Sequence, residues 1–96
     1  MNDLFRALSD PTRREVLRLL RDRDLSAGEI AERFPLARST LSEHLAVLKA
    51  TGLVVTERQG TSIRYSLNAA AFEEALAGLL DLFAARRARK RGGMSR

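Results

Sequence analysis

Apolar residues recur at helical spacing near the start of the chain and predict two helices. The first spans residues 2–8, where leucine and phenylalanine form a short stripe. The second spans residues 11–22 and has leucine and valine on one side. Asp10 is a suitable N-cap for it, and Pro11 suits the first helical position.

The next part of the chain predicts two further helices. Ser26 and Glu29 have the spacing of a capping box and predict a short helix over residues 27–33. A longer helix is predicted over residues 38–50, where leucines recur at positions 41, 45 and 48, and Gly52 follows as a C-terminal stop.

Beyond this point the period changes to that of strands. Residues 53–57 and 63–67 are rich in β-formers and flank a turn near Gly60, which predicts a hairpin. Asn68 then caps a last helix, predicted over residues 69–85.

The third and fourth helices together have the arrangement of a helix-turn-helix. On the fourth, the side opposite the leucines carries small and polar groups that suit approach to base edges in a major groove. The candidate DNA contacts there are Arg38, Ser39, Thr40, Ser42, Glu43 and His44. A merely solvated helix face is the competing interpretation. For Glu43 two roles stay open, accepting a hydrogen bond from cytosine or pairing with a neighbouring arginine.

The hairpin directly behind this motif strengthens the interpretation. Its turn is flanked by arginines that can meet phosphates or the narrow minor groove, as the wing of a winged helix does. The candidate wing contacts are Arg58, Gln59, Gly60, Thr61 and Arg64.

The last helix carries an apolar stripe too wide for a small domain to cover alone. Together with the first helix it predicts a homodimer interface, because a two-fold pairing of both helices would bury the stripe. The predicted interface residues are Leu4, Phe5, Leu8, Phe72, Leu76, Leu79 and Phe83.

Charge is distributed unevenly over the 96 residues. The net charge is +5, but residues 86–96 hold six basic side chains and no acidic one, so residues 1–85 carry a net −1. We therefore expect a DNA-binding domain with its dimerisation helices over residues 1–85 and a basic, disordered tail over residues 86–96. The tail either binds DNA phosphates without sequence preference or only increases the solubility of the chain.

Composition argues against several function classes. With no cysteine and a single histidine, His44, the chain has no thiolate metal or redox site and no plausible set of nitrogen ligands, so no metal and no cofactor are expected. No nucleophile–base pair or phosphate loop indicates an enzyme. The acidic N-terminus without an apolar block and the absence of a spanning stretch predict a cytoplasmic protein with no membrane partner.

Residues 4–67 resemble the ArsR-type winged-helix repressors, most closely the SdpR-like branch of small autorepressors. The resemblance rests on a combination of motifs, which are Asp10-Pro11-Thr12-Arg13, Ser42-x-His44-Leu45, Leu48-x-x-x-Gly52-Leu53 and Gly60-x-x-x-x-Tyr65-x-Leu67. One departure is Ala37, where the family often has a serine N-cap.

This resemblance implies a mainly α, α+β fold, a winged helix-turn-helix with four helices, a β-hairpin wing and a C-terminal dimerisation helix. It also implies a sequence-specific repressor that binds double-stranded DNA as a homodimer on an inverted-repeat operator, regulates its own gene and leaves DNA on an unidentified signal. The alternative is a winged-helix module that binds protein or RNA.

Overall fold

In the computed structural model, the backbone is described for residues 2–94 and the side chains for residues 3–84. The chain forms five helices and three strands in this part. The helices are α1 (Asn2–Leu8), α2 (Pro11–Asp22), α3 (Ala27–Ala31), α4 (Arg38–Ala50) and α5 (Ala69–Met94). The strands are β1 (Leu25–Ser26), β2 (Val54–Gln59) and β3 (Ser62–Leu67). The predicted α+β winged-helix fold is confirmed.

The predicted caps explain why most helices begin and end where they do. The Asp10 carboxylate accepts the backbone N–H of Arg13 at 3.1 Å, and Pro11 occupies the first turn of α2. Asn68 likewise accepts the N–H of Ala71 at 3.1 Å at the start of α5. These side chains satisfy N–H groups that have no partner within their own helix.

Gly52 ends α4 by taking a left-handed conformation, with φ of +82°. Apart from the backbone of Gly52 and its two chain neighbours, a Cβ at this position would meet no atom within 4 Å, so the backbone angle, and not crowding by other residues, favours glycine. The chain can then turn directly into β2.

One core holds the helices and the sheet together. It combines residues of every element from α1 to β2, and its largest fully buried side chains are Val16, Leu25, Ile30, Leu48, Leu53 and Val54. Helix α4 contributes Leu41, Leu45 and Leu48, the three leucines that the spacing predicted as its buried side. Burial of these leucines fixes the rotation of α4 about its axis.

The sheet has the order β1-β3-β2 and is antiparallel throughout. Strand β1 pairs Leu25 with Tyr65 and Ser26 with Arg64. Ser26 is also the N-cap of α3, so the sheet holds the start of the helix-turn-helix directly.

Four details differ from the sequence prediction. Strand β1 was not predicted, and α3 ends at Ala31 instead of residue 33. The hairpin strands span Val54–Gln59 and Ser62–Leu67 instead of residues 53–57 and 63–67. The fourth difference is that α5 continues to Met94, whereas an end at residue 85 and a disordered tail over 86–96 were expected. Alanine, arginine and lysine are strong helix formers, and no glycine interrupts them before Gly92, so the basic stretch extends the helix.

Helix α5 leaves the domain after its first turns. Ala71 and Phe72 pack against the core, but Leu76 and Leu80 are more than half exposed. No helix in the described part of the chain is both long and apolar enough to cross a bilayer.

Candidate nucleic-acid interface

Five of the six DNA contacts predicted on α4 are exposed. Ser39, Thr40, Ser42 and Glu43 lie on the side of the helix away from its leucines, and Arg38 is exposed as its first residue. The three buried leucines of α4 lie on one side of the helix and face the core. Side chains on the other side of the helix therefore face outward. These residues present three hydroxyls and one guanidinium, which can hydrogen-bond to base edges or phosphates, and one carboxylate, which can accept a hydrogen bond from a base.

Helix α3 positions this face. The capping box predicted for its start is present, because the Ser26 hydroxyl accepts the Glu29 N–H at 3.1 Å and the Glu29 carboxylate accepts the Ser26 N–H at 2.8 Å. Ile30 of α3 is fully buried in the core shared with α4. The start of α3 and the rotation of α4 are thus set by separate contacts.

The start of α4 lacks a side-chain cap. Ala37 has the extended backbone of an N-cap residue, with φ of −60° and ψ of 145°, but no side chain accepts the first free N–H groups. This end of the helix carries Arg38 and Ser39 and is the part of a recognition helix that usually enters the groove. Because no side chain caps this end, the first backbone N–H groups of α4 can donate to a bound group.

The hairpin of β2 and β3 closes with a two-residue turn at Gly60 and Thr61, between the paired residues Gln59 and Ser62. Only the first turn residue has positive φ, +63° at Gly60. That is the requirement of a type II′ turn, whose twist matches the twist of the two strands. The predicted turn is confirmed, and its tip is exposed.

The two predicted wing arginines lie on opposite faces of this hairpin. Arg58 pairs across the strands with Ile63, whereas Arg64 pairs with Glu57. Successive residues of a strand alternate between faces, so the two guanidinium groups flank the wing. Arg64 donates from Nε to Gln59 Oε1 at 3.3 Å, while Arg58 is exposed.

His44 is placed differently from the other predicted contacts. Its ring is only 17% exposed and lies against the start of α2, with Nδ1 3.1 Å from Arg13 Nη1 and 3.7 Å from Asp10 Oδ2. A link between residues 31 positions apart leaves no signal in local sequence spacing. The sequence therefore indicates His44 as a candidate contact but not its connection to Arg13.

The carboxyl of Asp10 lies under several opposing influences at this junction. The largest single effect is burial, which by itself raises the pKa of Asp10. The N–H groups of Arg13 and Thr12 and the nearby His44 and Arg13 side chains favour the carboxylate. Together they lower the pKa of Asp10 below its ordinary value, so Asp10 stays ionised while it caps α2.

Glu43 stands alone on the exposed face of α4. Within residues 3–84, no basic side chain lies within ion-pair distance of its carboxylate. The salt bridge considered from the sequence is therefore absent from the described side chains.

The residues predicted at the dimer interface divide into two groups. Leu4, Leu8 and Phe72 pack partly against the domain's own core. Phe5, Leu76 and Phe83 are 51%, 56% and 65% exposed, and Leu79 is half-buried. Leu80 and Leu82 add further exposed apolar surface to α5.

The described residues also contain no cluster of three or more histidine, aspartate or glutamate side chains arranged to hold a metal ion.

The amino-acid sequence is similar to those of known transcriptional regulators. Residues 8–57 match the family model described as a helix-turn-helix domain. The chain is 41% identical to the transcriptional repressor SdpR of Bacillus subtilis, over 84% of this chain and 90% of the relative. It is 38% identical to the transcriptional activator HlyU of Vibrio cholerae, over 68% of this chain and 60% of the relative.

Among solved structures, the fold is similar to an ArsR-like transcriptional regulator from Rhodococcus sp. RHA1. The TM-score is 0.82 at 35% identity, over 98% of this chain and 85% of the other. The structure of HlyU from Vibrio cholerae N16961 gives a TM-score of 0.69 at 33% identity, over 85% of this chain and 89% of the other.

Proposed function

Because the chain belongs to the ArsR-type helix-turn-helix transcriptional regulators, we propose that it is a repressor that binds double-stranded DNA as a homodimer. Helix α4 enters the major groove, and the β2–β3 hairpin lies beside it as the wing. Both act in the cytoplasm, on an operator with inverted symmetry that controls the protein's own gene. The relatives are regulators of transcription, and the chain is a regulator rather than an enzyme.

The observation that carries this proposal is the exposed polar face of α4 next to a wing with an arginine on each side. The core leucines hold α4 in one rotation, so the candidate contacts stay outward without help from a ligand, namely Arg38, Ser39, Thr40, Ser42 and Glu43. Residues 1–85 carry a net negative charge. Within residues 1–85, the binding energy therefore has to come from local contacts of this face and the wing arginines, and not from the overall charge of the domain.

The dimer is supported by the apolar surface that remains uncovered. Leu76 and Phe83 lie on one stripe of α5 and are more than half exposed, and Phe5 of α1 is exposed as well. Exposed leucine and phenylalanine along several turns cost free energy in water, at about 25 cal/mol per Å² of apolar surface. A second copy related by a two-fold axis would cover this stripe and match the symmetry of an inverted repeat.

DNA binding is tested with duplexes selected in vitro from a random pool and with the gene's own promoter. We expect one enriched sequence with inverted symmetry and a mobility shift by the wild-type protein. Replacing Ser39 and Thr40 by alanine should remove the preference for that sequence. Arg18→Ala is the matched control, because Arg18 lies on α2 and pairs with Glu15, away from α4.

Failure to enrich any duplex, with binding to single-stranded RNA or to a protein instead, would overturn the proposal. Transcription from the selected promoter in a reporter strain distinguishes repression from activation, because a repressor lowers reporter output when it is expressed.

The dimer is tested by light scattering at micromolar concentration, where we expect about 21 kDa, twice the 10.7 kDa of one chain. Leu76→Asp should give the monomer mass, since a buried unpaired carboxylate is costly. Ala77→Asp is the control, because Ala77 is exposed on α5 about 100° from Leu76 and away from the stripe. A wild-type mass of one chain would contradict the proposal.

A further inference from the structure

The guanidinium of Arg13 lies where three helices meet. Its Nε donates to the carbonyl of Ala7 at 2.9 Å, and its Nη2 donates to the carbonyl of Arg6 at 2.7 Å. Both acceptors belong to the last turn of α1, whose carbonyls have no partner within the helix. The remaining nitrogen, Nη1, lies 3.1 Å from Nδ1 of His44 on α4. Arg13 therefore connects the end of α1 to the recognition helix.

This contact determines where the imidazole carries its proton. Arginine has only donors, so Nδ1 of His44 has to accept, and in the neutral ring the proton is on Nε2. A proton on Nδ1 would face the Arg13 cation instead. The carboxylate of Asp10, 3.7 Å from Nδ1, is beyond hydrogen-bond distance and does not compete for this position.

The other ring nitrogen remains free for an outside acceptor. Nε2 makes no hydrogen bond to any side chain or backbone group among the described residues. No polar side-chain atom in that part of the chain is both buried and without a partner, so Nε2 still reaches solvent. It does so on the flank of α4, one turn from exposed Thr40 and next to exposed Glu43.

We propose that Arg13 is a positioning residue that holds His44 as a neutral Nε2–H donor to a DNA phosphate at the wall of the major groove. The proposal rests on the proposed DNA binding. Residues on the flank of a recognition helix face the groove walls, where the phosphates lie, whereas Glu43 occupies the middle of the face. Because the donor is neutral, it adds affinity without releasing a counterion.

Arg14 provides a matched comparison. Its Nη1 donates to the carbonyl of Leu8 at 2.7 Å, so it also caps the end of α1, but it makes no hydrogen bond to α4. Arg14→Met removes one α1 cap and leaves His44 untouched. Arg13→Met removes two caps and also the partner of His44. Arg13→Lys retains the charge but has a single nitrogen donor atom in place of the three guanidinium nitrogens.

The first measurement is the tautomer, by long-range proton–nitrogen NMR at pH 8, where a free imidazole is neutral. The chain has one histidine, so all imidazole nitrogen signals belong to His44. We expect Nδ1 to be unprotonated and Nε2 protonated in the wild type and in Arg14→Met, and a mixture of tautomers in Arg13→Met. An Arg13→Met spectrum identical to that of the wild type would overturn the proposal. This measurement needs no DNA.

The second measurement is affinity for the selected operator and for a random duplex over a range of salt. Arg13→Met should weaken both about twofold if half of the rings then carry the proton on Nδ1, because apparent affinity falls with the fraction of rings that still present the Nε2–H donor. The slope of log K against log salt should stay unchanged, since that slope counts cations and not neutral donors. Arg13→Lys should recover part of the affinity, and Arg14→Met should bind as the wild type does. Wild-type affinity in Arg13→Met would overturn the proposal.

A fourth variant decides the question if Arg13→Met does not fold. His44→Asn keeps an acceptor where Nδ1 stood, so the Arg13 contacts survive, but it removes the Nε2–H donor. We expect a folded protein with a roughly tenfold loss of affinity on every duplex, because the whole hydrogen bond to a charged group is removed. Unchanged affinity would refute the phosphate contact. If the wild type binds no duplex at all, the proposed function fails, while the NMR result still decides whether Arg13 sets the tautomer.

Discussion

Ser26 and Glu29 cap each other at the start of α3, each side chain accepting the other's backbone N–H. The backbone N–H of Ser26 acts most strongly on the Glu29 carboxyl, followed by the Ser26 side chain, and these contacts lower the pKa of Glu29. A carboxyl whose pKa is lower in the folded state stabilises the fold above its unfolded pKa, and this stability is lost as pH falls through the folded value.

Glu29→Gln should therefore flatten the loss of stability on acidification below about pH 4.5, where an unfolded glutamate begins to take up a proton. The midpoint of urea unfolding, measured from pH 6 to pH 3, checks this. Glu32→Gln, an exposed glutamate outside the capping box, is the control and should retain the wild-type profile. Equal profiles for Glu29→Gln and the wild type would contradict the prediction.

Two glycines should respond with opposite sign to the same substitution. Gly52→Ala should lower the free energy of unfolding by about 1 kcal/mol, because its φ of +82° brings a Cβ close to the carbonyl oxygen. Gly28→Ala should raise it by about 0.5 kcal/mol, because Gly28 is helical and a Cβ there meets only Ser26 Oγ at 3.9 Å. Urea denaturation of both variants measures the difference, and a shift of the same sign would be inconsistent with it.

The uncapped start of α4 can be repaired. Ala37→Ser should raise the free energy of unfolding by about 1 kcal/mol, since Ala37 already has the backbone of an N-cap residue. Thermal unfolding provides the measurement. Ala50→Ser, at the other end of the same helix, supplies no cap and should be neutral or slightly destabilising. A stabilisation shared by both variants would point away from capping.

Glu43 is predicted to read sequence. An exposed carboxylate with no cation near it among the described side chains is repelled by phosphates unless a base donor offsets this cost. Cytosine N4 is such a donor, and discrimination of about 1–3 kcal/mol is expected from the pairing. Glu43→Ala should relax the preference at one base pair in each half-site and raise affinity for random DNA. Binding to single-base operator variants tests this, and retention of every preference would exclude base readout.

Removal of residues 86–96 should weaken binding to all duplexes alike if the six basic side chains there bind phosphates. The slope of log K against log salt should become shallower by about 0.9 for each phosphate that the shortened chain no longer neutralises. The dimer should persist, because the apolar stripe of α5 ends at Phe83. An unchanged slope would assign these residues to solubility alone.

Local chemistry explains what could be predicted from the sequence. The bounds of α1, α2 and α4 were predicted correctly, because Asp10, Pro11 and Gly52 determine helix ends through contacts with their neighbours in the chain. Strand β1 escaped prediction because two residues have no periodicity, and their partners lie in β3. The outward face of α4 followed from leucine spacing, whereas the Arg13–His44 contact depends on how α2 and α4 pack.

The pairing of β1 with β3 also has a kinetic consequence. Leu25 and Tyr65 close a single loop that contains α3, α4 and the β2 strand, so the helix-turn-helix lies inside one long-range closure. The entropy of that closure has to be overcome before the pairing returns any stability, which slows folding more than it lowers the final stability. A growing polypeptide that ends before β3 lacks the strand that holds Ser26 at the start of α3. The start of α3 therefore reaches its final place only after β3 has been synthesised.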